Sequence, residues 1–123
     1  MDDSIYYTKD HLWLRQTGDR VSIGLSSYAL SKMKAIVFLN LPDPGDTVSC
    51  GEAFGDVESL KTVSDLISPV DGTITEVNEE IIDSPELLYE SENCWIITVQ
   101  VSRPVNGLMN QEEYAAFTAG GEN

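Results

Sequence analysis

Apolar and polar residues alternate along most of the chain in short runs with a period of two, the pattern of strands that bury one face. It predicts strands over 11–16, 21–25, 35–41, 54–58, 63–67, 72–77 and 95–101. Gly18-Asp19, Pro42-Asp43-Pro44-Gly45 and Pro69-Val70-Asp71-Gly72 punctuate them. Proline fixes φ and glycine tolerates positive φ, so these clusters favour chain reversal. Close spacing of strands and turns predicts a mainly antiparallel β fold, a small sandwich or barrel. A strand, a Pro/Gly turn and a second strand recur as Phe38–Val48 and Leu66–Ile74, which suggests two β halves folded against each other.

Two segments break this pattern. Ser26 and Ser27 can cap a short helix through Tyr28, Leu30 and Met33. Asn110 followed three positions later by Glu113 resembles a capping box opening a helix over 111–117. That helix places Tyr114 and Phe117 on one stripe, so it is expected to pack on the sheet and close one end. Residues 119–123 are expected to fray.

The size of the chain, 123 residues, predicts a single domain spanning 1–123. Charge narrows the partners: 21 acidic residues against seven basic ones leave a net charge of −14. Such an excess repels phosphate backbones and anionic lipid surfaces, and suits docking onto basic patches of other proteins or simply keeps the protein soluble. The sequence predicts a monomer that binds neither nucleic acid nor membrane. Cys50 and Cys94 form no CxxC pair and lie in no histidine cluster, so both are read as reduced packing residues, and no metal site is expected. Met1-Asp2-Asp3 lacks the basic and apolar regions of a signal peptide, which predicts a cytoplasmic location.

If 54–58 and 63–67 pair as a hairpin, Lys61 falls in the tight connection and is held out at its tip. Most lysines in such places are surface charge. An exposed, unpaired amine on a stiff turn is also what a modifying enzyme needs in a nucleophile. No catalytic constellation accompanies it, since the single histidine, His11, has no Ser or Cys neighbour in an elbow motif and no phosphate-binding glycine loop is present.

The stretch Val57-Glu58-Ser59-Leu60-Lys61, with Ser64-Asp65-Leu66-Ile67-Ser68-Pro69-Val70-Asp71-Gly72 after it, resembles the lipoyl-attachment hairpin of the glycine cleavage system H proteins. Similarity continues in register through Tyr7-Thr8-Lys9-Asp10-His11-Leu12-Trp13, Val21–Leu25, Ile36–Pro42, Gly45–Val48, Glu76–Asn78, Pro85–Leu87, Trp95 and the segment around Tyr114. The resemblance implies a lipoyl/biotinyl-carrier-type flattened β-barrel, a barrel-sandwich hybrid of two antiparallel sheets with short helices, one of them C-terminal. Biotinyl carriers share this general fold, but their target lysine typically lies between methionines, whereas Lys61 lies between Leu60 and Thr62.

What the resemblance further implies is a lipoyl group on Lys61, with Glu58, Ser59 and Asp65 as flanking recognition residues. The chain would then be a non-catalytic carrier that shuttles an aminomethyl group. Its implied partners are the glycine decarboxylase, the tetrahydrofolate-dependent aminomethyltransferase, the dihydrolipoyl dehydrogenase, and a lipoate ligase or octanoyl/lipoyl transferase. A cleft around His11, Leu12 and Asn40 would shelter the loaded arm. Some positions depart from the family pattern: Leu12 and Asn40 replace usual glutamates, Lys34-Ala35 stands where glycine and an acid are common, and Glu92-Asn93-Cys94 replaces a glycine-containing loop. Leucine offers no partner to an ammonium group. A second reading, an H-like carrier that relays lipoate or serves a redox or stress system, therefore stands beside the first.

Overall fold

The computed structural model describes residues 5–33, 35–90, 94–102, 105 and 107–119. Residues 120–123 of the tail expected to fray lie outside that range, as do Lys34, Glu92 and Asn93 among the positions that depart from the family pattern.

Nine strands and three α-helices follow one another in these residues: β1 (Ile5–Tyr7), β2 (Leu12–Thr17), β3 (Arg20–Leu25), α1 (Ser27–Met33), β4 (Ile36–Asn40), β5 (Thr47–Val48), β6 (Ala53–Ser59), β7 (Val63–Ile67), β8 (Gly72–Val77), α2 (Glu79–Asp83), β9 (Trp95–Val101) and α3 (Gln111–Ala119). A 3₁₀ segment, Pro85–Tyr89, joins α2 to the loop before β9. The strands form two antiparallel sheets, a six-stranded one in the order β1-β2-β3-β9-β8-β5 and a three-stranded one in the order β4-β6-β7.

The expected two-sheet architecture is present, but the hydrogen-bonded ladders do not close a barrel. Each sheet ends on its own edges, β1 and β5 in the larger and β4 and β7 in the smaller. The sheets are joined by the covalent chain instead. Leu41–Asp46 leads from β4 to β5, and Ser68–Asp71 leads from β7 to β8, so the two copies of the sequence echo make the same crossing between layers. Backbone bonds tie each crossing to other segments: Gly45 N–H donates to Ile74 O and Ile74 N–H to Asp46 O, both at 2.8 Å, while Gly51 N–H donates to Ser68 O and Ser68 N–H to Glu52 O. Gly45 and Gly51 have φ of +97° and +89°, values that glycine adopts without steric cost.

Between the layers, Val21, Ile23, Leu25, Ile74, Ile97 and Val99 of the large sheet belong to one buried cluster with Ile36, Leu39, Val57 and Leu66 of the small one. Burial of each such side chain contributes about 1.5–3 kcal/mol, which makes this layer the main source of stability. Trp13 is also buried, on the opposite face of β2 from Leu12 and Leu14. The Arg15 guanidinium lies 5.8 Å from its ring centroid.

Both predicted helices form where their caps predict. Ser26 Oγ accepts the Ala29 N–H at the start of α1, at 3.2 Å. At α3, Glu113 N–H donates to Asn110 Oδ1 at 2.8 Å and Asn110 N–H donates to Glu113 Oε1 at 2.9 Å, a complete capping box. Tyr114 is buried and stacks on Tyr7 with ring centroids 4.5 Å apart, so α3 covers the β1 end of the large sheet. Cys94 packs beside the core as expected, whereas Cys50 is exposed on the crossing before β6. Burial, reinforced by the nearby Glu80 carboxylate, pushes the Cys94 thiol pKa up.

Candidate functional site

Strands β6 and β7 pair in register, Glu58 opposite Val63, Val57 opposite Ser64 and Asp56 opposite Asp65, which leaves Ser59-Leu60-Lys61-Thr62 as the turn. Ser59 N–H donates to Thr62 O at 2.8 Å across its neck. The buried Ser59 hydroxyl also donates to Thr62 O, at 3.2 Å, and faces the Lys61 and Thr62 N–H groups at 3.4 and 3.3 Å. One small polar side chain thereby braces the loop from within. Leu60, Lys61 and Thr62 all face solvent, and Leu60 is 76% exposed. The Lys61 ammonium makes no ion pair or hydrogen bond among the described residues. It is a free primary amine on a braced projection, in the place the strand pattern predicts.

Glu58 and Asp65 lie on the outer face of the three-stranded sheet, both exposed, whereas Ser59 turns inward. The three residues thus have different surroundings. The two carboxylates can meet a partner, and the serine can act only through the shape of the turn.

A cleft of about 330 Å³ opens beside this hairpin, between it, the β1–β2 loop and α1. Asp10, His11, Leu12, Tyr28, Lys32 and Asp65 are among its lining residues. The β1–β2 loop is shaped by Thr8, whose Oγ1 accepts the N–H groups of Asp10 and Leu12, each at 3.2 Å. His11 takes a left-handed conformation, φ +69°, uncommon outside glycine though less so for His, Asn and Asp. There its Nδ1 lies 2.8 Å from the Tyr114 hydroxyl, which in turn lies 2.8 Å from Ser26 Oγ. The cleft wall is therefore locked to α3 and to the cap of α1 by a single hydrogen-bonded chain. Lys32 Nζ sits 5.3 Å from the Tyr28 ring centroid.

His11 and Leu12, singled out from the sequence, do meet at this cleft, although Leu12 is only 1% exposed and belongs mainly to the core. Asn40 does not join them. It lies in β4 opposite Asp56, exposed on the outer face of the small sheet, because β4 is separated from the cleft by β6 and β7. Sequence reasoning passed over Asp10 as a cleft residue. The signal was its position two residues before Leu12, beyond a histidine that reverses the chain.

A profile of the family described as Glycine cleavage H-protein matches residues 5–120. The chain is 44% identical over 115 residues to the glycine cleavage system H protein of Geobacillus thermodenitrificans, with 90% of this chain and 91% of the relative covered. It is 44% identical over 118 residues to the protein of that name from Halalkalibacterium halodurans, covering 93% and 92%. Among solved structures, the glycine cleavage system H protein of Mycobacterium marinum superposes with a TM-score of 0.87 at 38% identity, over 98% of this chain and all of that one. Likeness of this extent reaches both sheets, the lysine hairpin and α3, so the chain belongs to the glycine cleavage H-protein family.

Proposed function

We propose that the protein is the lipoyl-carrying shuttle of a glycine cleavage system and that Lys61 bears the lipoyl group, the chain working as a single carrier domain. The observation that carries this reading is the free ε-amine at the tip of a turn braced by Ser59. These residues fit a covalently attached acyl group, since the neighbours at the tip face solvent and leave room around the amine. Attachment forms an amide C–N bond from the deprotonated amine to the carbonyl of an activated acyl donor. The bond between that carbonyl and its leaving group, an adenylate or a carrier thiolate, breaks with its electron pair, and the amine releases a proton.

Once attached, the dithiolane supplies the thiol–disulfide and group-transfer chemistry. The chain supplies position and shelter. Glu58 and Asp65 mark the tip for approaching enzymes, and the cleft beside the hairpin receives the loaded end of the arm. Position 12 holds no acid here, but Asp10 and Asp65 are acidic residues of the cleft lining, beside which a carried ammonium group can rest. A charge-assisted hydrogen bond to either is roughly twice as strong as one to a neutral amide. The departure at Leu12 therefore leaves the shuttle role supplied with acids from neighbouring positions. The partners on this reading are the decarboxylase, the aminomethyltransferase, the dihydrolipoyl dehydrogenase and the enzyme that attaches lipoate.

Intact-mass and peptide mass spectrometry after expression with lipoate and a ligase test this directly. The expected result is one lipoyl adduct on Lys61 and none in Lys61→Arg, whose guanidinium stays protonated and is not nucleophilic. An adduct on Lys9 or Lys32 instead would overturn the assignment.

A further inference from the structure

On β4 the strand alternation is broken in one place. Ile36 pairs with Ser59 and Phe38 with Glu58, so Val37 is an extra residue, a β-bulge. Ile36 and Leu39 remain in the core while two consecutive apolar side chains turn outward, Val37 at 49% and Phe38 at 50% exposure. Phe38, Glu58 and Val63 form one cross-strand row on the outer face of the small sheet, with Val63 at 58% exposure. Leu60 projects from the turn that follows. Four of the six large apolar side chains most exposed among the described residues thus gather at the Lys61 end of this sheet.

The next row is acidic. Asn40 lies opposite Asp56, and Asp56 opposite Asp65, two carboxylates facing each other across neighbouring strands. Like charges directly opposite destabilise a sheet. Neither acid has an ion-pair partner among the described residues. Phe38 and Val63 flank Glu58 in the first row and unpaired acids fill the next, so this face is complementary to an apolar patch that carries arginine or lysine.

We infer that this face is the docking surface for the enzyme that acylates Lys61, with Val37, Phe38 and Val63 as its apolar anchors, Glu58 as the charge between them and Asp56 and Asp65 as its charged edge. The inference rests on the reading of Lys61 as the lipoyl site. Strands lie about 4.8 Å apart, so the row spans roughly 10 Å and begins at the strand ends that carry the turn. An enzyme that must enclose the ε-nitrogen necessarily covers that turn and reaches the row. An enzyme that acts on the far end of an extended arm can reach it without enclosing the ε-nitrogen.

The test uses apo-protein, a purified lipoate–protein ligase, lipoate and ATP, with lipoylation followed by intact mass and complex formation by calorimetry. Val37→Ser/Phe38→Ser should raise the KM of the ligase for this protein, and the Kd of the complex, by roughly tenfold or more, leaving kcat and the thermal midpoint nearly unchanged. Ile82→Ser, an exposed apolar residue on α2, should change neither constant. After forced lipoylation at high ligase concentration, the double variant should be reduced by dihydrolipoyl dehydrogenase and NADH at the wild-type rate. Unchanged KM and Kd in the double variant, with wild type acylated on Lys61, would overturn the docking surface alone. Absence of acylation on Lys61 in wild type would overturn the lipoyl reading and the docking surface with it.

Discussion

Ser59 combines two requirements that conflict in most surface turns, since it is buried for packing yet bonded to the very backbone that presents Lys61. Its hydroxyl makes three short-range contacts within the turn, and a hydrogen bond of this kind is worth about 1 kcal/mol net. Ser59→Ala should therefore lose about 1–2 kcal/mol in urea unfolding. It should also slow lipoylation several-fold, because a looser tip samples more geometries before the amine meets its acyl donor. A variant that unfolds and is lipoylated like wild type would show that strand pairing alone holds the turn. At the cleft, Asp10→Asn/Asp65→Asn neutralises both acidic residues of the lining at the place proposed for the carried ammonium. The loaded intermediate should then decay faster, read as formaldehyde release, while lipoylation by saturating ligase proceeds at its usual rate. An unaltered lifetime would move the resting place of the arm elsewhere.

Strands and helices here depend on close approaches that only a few residues permit. Gly24 lies in β3 where the register shifts against β9, and a Cβ there would meet Trp13 Nε1 at 2.5 Å and the Cys94 carbonyl oxygen at 2.6 Å. The indole is buried and the carbonyl is backbone, so neither yields easily. Gly24→Ala should cost about 1–3 kcal/mol, the usual range for overpacking, seen as a lower urea midpoint at unchanged slope. Unaltered stability would mean that Trp13 can turn away from β3. The same reasoning explains Gly55 in β6, where a Cβ would collide with the Asn40 carbonyl of β4. Gly24 thus lets the large sheet, and Gly55 the small one, form at the spacing its ladders require.

Taken whole, the molecule is an acidic body with a net charge of −14 and Lys61 at one projecting tip. Attraction over such a field acts before contact, and salt screens it with a Debye length of about 10 Å at 0.1 M ionic strength. Association with a basic-edged ligase, followed by stopped flow, should slow as sodium chloride is raised from 20 to 500 mM (about 22 to 4 Å of screening length). The dissociation rate should change much less. An association rate independent of salt would leave the charge as a solubility device. Among the described residues no helix is long and apolar enough to cross a membrane.

Local chemistry was legible along the chain. Val63–Ile67, Gly72–Val77 and Trp95–Val101 begin and end where alternation and turn residues place them, and the caps at Ser26 and Asn110 form as the side-chain types dictate. Each depends on contacts within a few residues, so composition and period suffice to specify it. The Lys61 tip is legible for the same reason, with the strands on either side setting its position. What required the tertiary structure depends on distant partners. Helix α2 and the 3₁₀ segment, five residues each, are too short to show a period, and burial of Ile81 and Leu88 beneath them supplies what propensity does not. The bulge at Val37 is set by pairing with β6, and without it period-two reading would put one of Val37 and Phe38 inside. Packing likewise put Asp10 and Asp65 in the lining of one cleft and Asn40 outside it, since a cleft between elements depends on how layers stack and spacing along one strand carries no record of that.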